Sequence, residues 1–360
     1  MAKNRFIWTI PITTIILVIG LLAVAISTGA DEKSEEVIFN FGSMDGPVHV
    51  QNKETFPYFM EEVEKLTNGR VKFRMYLGGV LGGPNETLDN IITGLMDVGR
   101  GIHGYNAGKY PVTAVMNLPF MAEGTGEELS IIAQKLHDTF PEIQGEYDDV
   151  KLLWIHAADP YAIITKGKAV RKFEDVKGLR LRTPSEEGSR MLLSWGATPV
   201  SLPAPDIYDA IQKGVIDGGV LPIAAIKDFN LTDIVDYVTV GYFNTNMFYV
   251  SMNKKSWEKL TPEEQELLEE NLLGLPMAQY AGHVYDEQKK RAEEEAKAAG
   301  VEFIYLPEQE IEKFKAASKG VIENWIRQMD TKGIDGRKIY NEARRLMEEI
   351  KKEKGEESNE

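Results

Sequence analysis

The segment VKGLRLRTPSEEG, Val176 to Gly188, sets two guanidinium groups on a short extended stretch. Leu179 and Leu181 alternate with Arg180 and Arg182, so on a strand the leucines share one face and the arginines the other. Thr183-Pro184 then stops the pattern. An arginine at the end of a buried strand needs an acceptor, because unpaired buried charge is costly. Its planar fork of donors fits a carboxylate bidentately. Other chemistries have less support. Gly99–Gly104, GRGIHG, has the G-x-G-x-x-G spacing, but the YNAGKYP that follows cannot open the helix a dinucleotide site needs. Its glycines read as a loop with room near a ligand. There is no G-x-S-x-G, no H-E-x-x-H and no Walker lysine. His49, His103, His137, His156 and His283 lack metal-ligand spacing, so neither a metal nor a cofactor is expected. Acidic runs such as Glu263–Glu270 read as solvated helix faces.

The elements that would position Arg182 alternate between strand and helix. Val37–Phe41 reads as a strand, closed by the turn-like Asp45-Gly46-Pro47. Phe56, Phe59, Met60, Val63 and Leu66 recur at helical spacing and stop at Asn68-Gly69. Val71–Met75 alternates as a strand, and NETLDNIITGLMDVG is a helix with a short apolar run after it. Lys151–Ile155, Tyr161–Thr165, Leu179–Thr183 and Met247–Asn253 read as strands. Ser185 is an N-cap for a helix ending near Trp195-Gly196, and Asp206–Gly214 is a further short helix. Thr261, Pro262 and Glu264 form a capping box that opens a long helix. Strand and helix in alternation predict an α/β architecture.

Length and charge narrow the function. A chain of 360 residues suits two domains. A net charge of −15 argues against nucleic acid or an anionic membrane surface as the main partner. The absence of cysteine removes disulfides, thiol nucleophiles and thiolate metal sites. Lys3 and Arg5 precede an apolar run from Phe6 to about Ile26, with small residues at 23–25 and 28–30. That is the pattern of a signal peptide, with an uncleaved N-terminal anchor as the rival; either exports the remainder to an extracytoplasmic (periplasmic) location. Removing residues 1–30 takes away two positive charges and no acid, so −15 becomes −17.

The stretch Asp175–Pro222, DVKGLRLRTPSEEGSRMLLSWGATPVSLPAPDIYDAIQKGVIDGGVLP, closely resembles the extracytoplasmic solute-binding proteins of the tripartite ATP-independent periplasmic (TRAP) transporters. Their signature is a strand of the type K-G-L-K-I-R-x-P, then L-G-A-x-P, then a helix ending G-V-x-D-G, and here these read KGLRLRTP, WGATP and GVIDG. VEKLTNGRVKFRMYLGGVLGG, GLMDV and KYPVTAVMNLPF upstream, and FYVSMNKKSWEKLTPEEQ downstream, fit in order, so the likeness spans Val37 to Gln328.

The resemblance implies a two-lobed, periplasmic-binding-protein-like α/β fold with mixed sheets and a long helix spanning both lobes. Lobe I would take 36–158 plus 247–286, lobe II 159–246 plus 287–335, and 336–360 would be a C-terminal helix and charged tail. It implies capture of a small organic carboxylate and its delivery to an ion-gradient-driven permease of small and large membrane subunits. A sensory ligand-binding protein, or an exported enzyme acting on small organic acids, are the alternatives.

The family's carboxylate-binding arginine falls on Arg182, and Arg180 is read as a surface charge. Tyr161 stands where many relatives have a second arginine, and Gly219 replaces an asparagine after Asp217-Gly218. DGGVLP is closer to the subgroup that takes keto acids and aromatic carboxylates. Arg100 stands where that subgroup often has a large apolar residue, and it is read either as meeting a second acidic group across the cleft, with His103 nearby, or as a surface arginine. Leu221 and Asn246 complete the expected ligand-binding set.

Overall fold

The structure, a computed structural model, describes residues 35–357. The expected leader lies outside the described residues, and no described helix is long and apolar enough to cross a membrane. Eleven strands alternate with helices: β1 (Val37–Ser43), β2 (Val71–Tyr76), β3 (Val98–Ile102), β4 (Lys151–Ala157), β5 (Tyr161–Thr165), β6 (Arg180–Thr183), β7 (Thr198–Ser201), β8 (Gly218–Pro222), β9 (Tyr237–Val240), β10 (Met247–Met252) and β11 (Glu302–Tyr305). They form two mixed sheets, ordered β2-β1-β3-β10-β4 and β11-β9-β5-β8-β6-β7. The chain passes from the first sheet to the second between Ala157 and Tyr161 and returns between Val240 and Met247.

Apolar spacing explains how the first sheet is covered. Helix α1 (Phe56–Leu66) buries Phe56, Phe59 and Val63 on one side, three and four residues apart. They meet Phe39 and Phe41 of β1 and Trp154 of β4 in one core. Burying each such aromatic side chain contributes about 1.5–3 kcal/mol. Helices α2 (Gly126–Thr139) and α3 (Glu186–Ser194) are both N-capped by side chains. Thr125 makes a full capping box with Glu128 that the sequence reading did not anticipate; Ser185 Oγ accepts from Gly188 N at 3.1 Å, the cap the sequence predicts.

Two expectations are corrected. Gly99–Gly104 is not mainly a loop: Val98–Ile102 is the buried strand β3, parallel to β1 and antiparallel to β10. Gly101 is needed there because Tyr249, its register partner, crosses over it; a Cβ would lie 2.1 Å from the Tyr249 hydroxyl oxygen. The long helix also does not begin at Thr261. The capping box is present, but it opens a short helix, α4 (Pro262–Asn271). Leu272 and Leu273 then turn inward, and Gly274 at φ +67° breaks the run in a conformation that costs other residues about 1 kcal/mol or more.

The spanning helix is α5 (Leu275–Ala298). It buries Met277, Ala278 and Ala281 in the first sheet's core, then Val284 and Tyr285 in the middle. Ala292 and Ala296 lie in the core of the second sheet. Two C-terminal helices follow, α6 (Glu308–Thr331) and α7 (Gly336–Glu357), so the helix takes in most of the segment expected as helix and charged tail.

Candidate functional site

Arg182 stands on β6, and the strand's alternation produces what the sequence predicts. Leu179 and Leu181 are buried on one face, while the two arginines separate along the other. Arg180 points outward, donating to both carboxylate oxygens of Asp217 at 3.0–3.2 Å, with its side chain 44% exposed. Arg182 points inward and is 2% exposed. Its register partner on β8 is Gly219, and a Cβ there would lie 3.2 Å from the Arg182 Cβ, tighter than ordinary packing. A side chain at 219 would crowd the arginine's path to the cavity.

Arg182 Nε donates to the Leu202 carbonyl at 2.9 Å, and Nη2 donates to the Tyr105 hydroxyl at 2.9 Å. Among the described residues it has no ion pair, and its Nη1 has no hydrogen-bond partner. A buried cation with only neutral partners is an unfinished electrostatic arrangement.

Arg182 forms one wall of a narrow cavity between the two sheets, about 30 Å³ in volume. Tyr161 and Leu221 share that wall; Tyr161 opens β5 opposite Pro222, and Leu221 of β8 pairs with Ala162. Burial pushes the Tyr161 phenol above its ordinary pKa, so it stays a neutral hydroxyl. The facing wall comes from β3 and β10: Arg100, Ile102 and Phe248, with Tyr285 of α5 above them. His156 of β4 backs this wall, stacked on Phe248 with ring centroids 5.1 Å apart.

Arg100 is also 2% exposed, but its surroundings are unlike those of Arg182. It makes a buried salt bridge to Asp45, donates to Tyr285 Oη at 2.6 Å, and lies 4.2 Å above the centre of the Phe248 ring. The floor holds a second acid. Asp228 accepts from Val50 N at 3.0 Å and Gln288 Nε2 at 2.8 Å, and burial raises its pKa. His49 Nε2 sits 3.8 Å from Asp45 and 3.7 Å from Asp228.

Hydrogen bonds join the two sides across the cavity. The Tyr105 hydroxyl, next to β3, accepts from both Arg182 and Ala204 N, the latter at 2.8 Å. On the opposite rim the Val50–Asp228 bond does the same.

Of the residues the sequence nominated, the structure brings Arg100, Tyr161, Arg182 and Leu221 to one cavity. His103 and Asn246 do not reach its wall. His103 faces a separate cavity with Tyr110, Asn117, Glu187 and Trp325. Its Nε2 lies 2.5 Å from Tyr147 Oη, and burial pushes its pKa down to about 4, so it is uncharged at neutral pH. Asn246 precedes β10 at the strand crossing, fully buried, with neither amide atom partnered among the described residues. Sequence reasoning missed Asp45, His49, Tyr105, Asp228, Phe248 and Tyr285. Asp45 looked like a turn residue, and nothing local marks an acid whose partner is 55 positions away. Tyr285 alone carried a signal, its place on the apolar stripe of α5.

Comparison with known proteins bears on this arrangement. Residues 41–328 match DctP, bacterial extracellular solute-binding protein, family 7. A marine metagenome TRAP solute-binding protein specific for aromatic acid ligands, solved with 3-hydroxybenzoate, is 30% identical at a TM-score of 0.83, covering 88% of this chain and 99% of that one. A TRAP solute-binding protein from Rhodoferax ferrireducens, solved with copurified benzoate, is 28% identical at 0.83, over 88% and 99%. One from Bordetella bronchiseptica, with bound (R)- and (S)-mandelate, is 27% identical at 0.81, over 87% and 99%. With two mixed sheets closing on a buried arginine, and sequence and structure alike over most of its length, the chain belongs to the family 7 (DctP) extracellular solute-binding proteins of TRAP transporters.

Proposed function

We propose that this protein binds a small organic acid with a compact aromatic or apolar body, with Arg182 receiving the carboxylate. The observation that carries the reading is the buried Arg182 guanidinium, which has only neutral partners among the described residues. A carboxylate there completes a charge-assisted pair in a place water does not reach. Tyr161 lies beside it as a neutral hydroxyl, and Ile102, Leu221, Phe229 and Phe248 offer apolar surface to the body of the ligand. The hydroxybenzoate, benzoate and mandelate held by the similar proteins have that shape and charge.

Function then follows from closure. Tyr105 holds Arg182 in place only when the two sides meet, so an anion on Arg182 favours the closed state by its differential affinity for it. An affinity near micromolar corresponds to about −8 kcal/mol. The closed, loaded protein is the form presented to a TRAP permease of small and large membrane subunits, driven by an ion gradient. The protein works as a receptor and not an enzyme, and residues 1–30 export it, as a cleaved signal or as a retained anchor.

The test is thermal stabilisation of the ligand-stripped protein by benzoate, 3-hydroxybenzoate and mandelate, against benzamide and benzyl alcohol. Only a ligand that prefers the native state raises the transition. The acids should stabilise and the uncharged analogues should not. Equal shifts from benzamide and benzoate would refute a carboxylate site.

A further inference from the structure

Two buried arginines face one cavity, and counting cations alone would suggest a ligand with two carboxylates. The counter-charges change the count. Arg100 is held by Asp45, and Asp45 itself lies 2% exposed or less at the cavity wall. Arg100 and Arg182 minus Asp45 leave a single positive charge. Asp228, if ionised, removes that charge, and a proton on His49 between the two acids restores it. The side chains lining the cavity therefore carry a charge of zero or +1 unless His49 and Asp228 are protonated together. Neither value answers a dianion. A second carboxylate against Arg100 would either displace Asp45, leaving that acid buried with no cation, or lie beside it as a second buried anion on one cation, and both are strongly unfavourable.

Resting on the reading of Arg182 as the carboxylate receptor, we propose that Asp45 sets the charge specificity of the site: by neutralising Arg100 it makes the cavity selective for monoanions and excludes dicarboxylates of the same shape. Arg100 keeps one function toward the ligand. Its Nη1 donates to Asp45 and its Nη2 to Tyr285, while its buried Nε–H has no acceptor among the described residues. That donor suits an oxygen that carries no charge, such as a hydroxyl, a carbonyl or an amide oxygen. The site is then asymmetric, with a full counter-charge at Arg182 and a single hydrogen bond at Arg100.

The decisive probes differ by one charge and almost nothing in shape: isophthalate against 3-carbamoylbenzoate, and succinate against succinamate. Calorimetry on the ligand-stripped wild type should find the monoamide of either pair tighter by on the order of a hundredfold. Asp45→Asn frees Arg100 and should shrink that ratio at least about tenfold, chiefly through gain of the diacid. The double variant Asp45→Asn, Arg100→Gln removes both charges and should restore the preference for the monoamide. A wild type that binds the diacid as tightly as the amide, or a folded Asp45→Asn with an unchanged ratio, overturns the proposal. Benzoate binding with both members of each pair excluded alike, in wild type and variant, makes shape the selector and also overturns it. Should Asp45→Asn not fold, the wild-type preference decides alone. Failure of the carboxylate reading looks different: no acid binds, or Arg182→Gln binds benzoate like the wild type, and the Asp45 proposal falls with it.

Discussion

Arg100 and Arg182 face one cavity from opposite sheets, equally buried at 2% exposure, yet only one carries its counter-charge within the protein. Arg100 has Asp45, Tyr285 and the face of Phe248. Arg182 has a carbonyl and a hydroxyl. A buried ion pair is part of the fold, because removing one partner strands the other. A buried cation with neutral partners is a latent binding site, because an anion from outside is what completes it. Burial and residue type are the same in both cases, and the neighbours alone separate structure from recognition.

The sharpest way to break that contrast is at the structural arginine. Arg100→Gln leaves Asp45 buried without a cation and should cost about 3–5 kcal/mol of stability in urea denaturation, with much of it regained on adding Asp45→Asn. A variant as stable as the wild type would mean that Arg100 is not part of the scaffold. The matching change on the other wall should act on ligand alone. Arg182→Gln is expected to weaken benzoate binding by about 2–5 kcal/mol, tens to thousands of fold by calorimetry, while stability stays within about 1 kcal/mol. A threefold loss or less would take the carboxylate away from this residue.

Tyr105→Phe tests the contact that spans the cleft. It leaves Arg182 Nη2 and Ala204 N–H without their acceptor, so affinity should fall by about 1–1.5 kcal/mol, roughly five- to fifteenfold, mainly as faster release in stopped flow. Slower capture with unchanged release would contradict a latch formed on closure.

The smallest effect belongs to the third arginine, the surface neighbour on the same strand. Hydrogen bonds from Arg180, ahead of those from Lys168, pull the Asp217 carboxyl from 3.8 down to about 2. A depressed folded-state pKa means that the unfolded chain takes up the proton first as pH falls. The stabilisation is therefore whole above about pH 4 and lost towards pH 2. Arg180 is open to water, so Asp217→Asn should cost no more than about 1 kcal/mol at pH 7, nothing at pH 2, and leave benzoate affinity unchanged. A loss that persists at pH 2 would point to packing and not charge.

How much of this could be read from the chain depends on range. Arg182 was legible because alternation over four residues places it without help from elsewhere. The caps at Ser185 and Thr261 were legible for the same reason, since their partners sit three residues on. Strand β3 was not, because Gly-Arg-Gly has loop composition and becomes strand only when β1 and β10 supply its hydrogen bonds and Tyr249 fills the space over Gly101. The helix expected from Thr261 was placed early because Leu272 and Leu273 look helical until the core draws them in and Gly274 turns the chain. His103 was nominated by its nearness to Arg100 in sequence, but three residues along a strand and its turn carry a side chain to the opposite face.

By itself, then, the sequence determined that the chain alternates strand and helix, that an arginine ends a buried strand, and that side-chain caps at Ser185 and Thr261 open the helices after them. All of these depend on neighbours within a few residues. Only the tertiary structure decided which arginine is answered from within, because Asp45 reaches Arg100 across 55 residues and Tyr105 reaches Arg182 across 77. Charge compensation in a closed cavity is a property of distances in space, and the order of residues along the chain does not contain them.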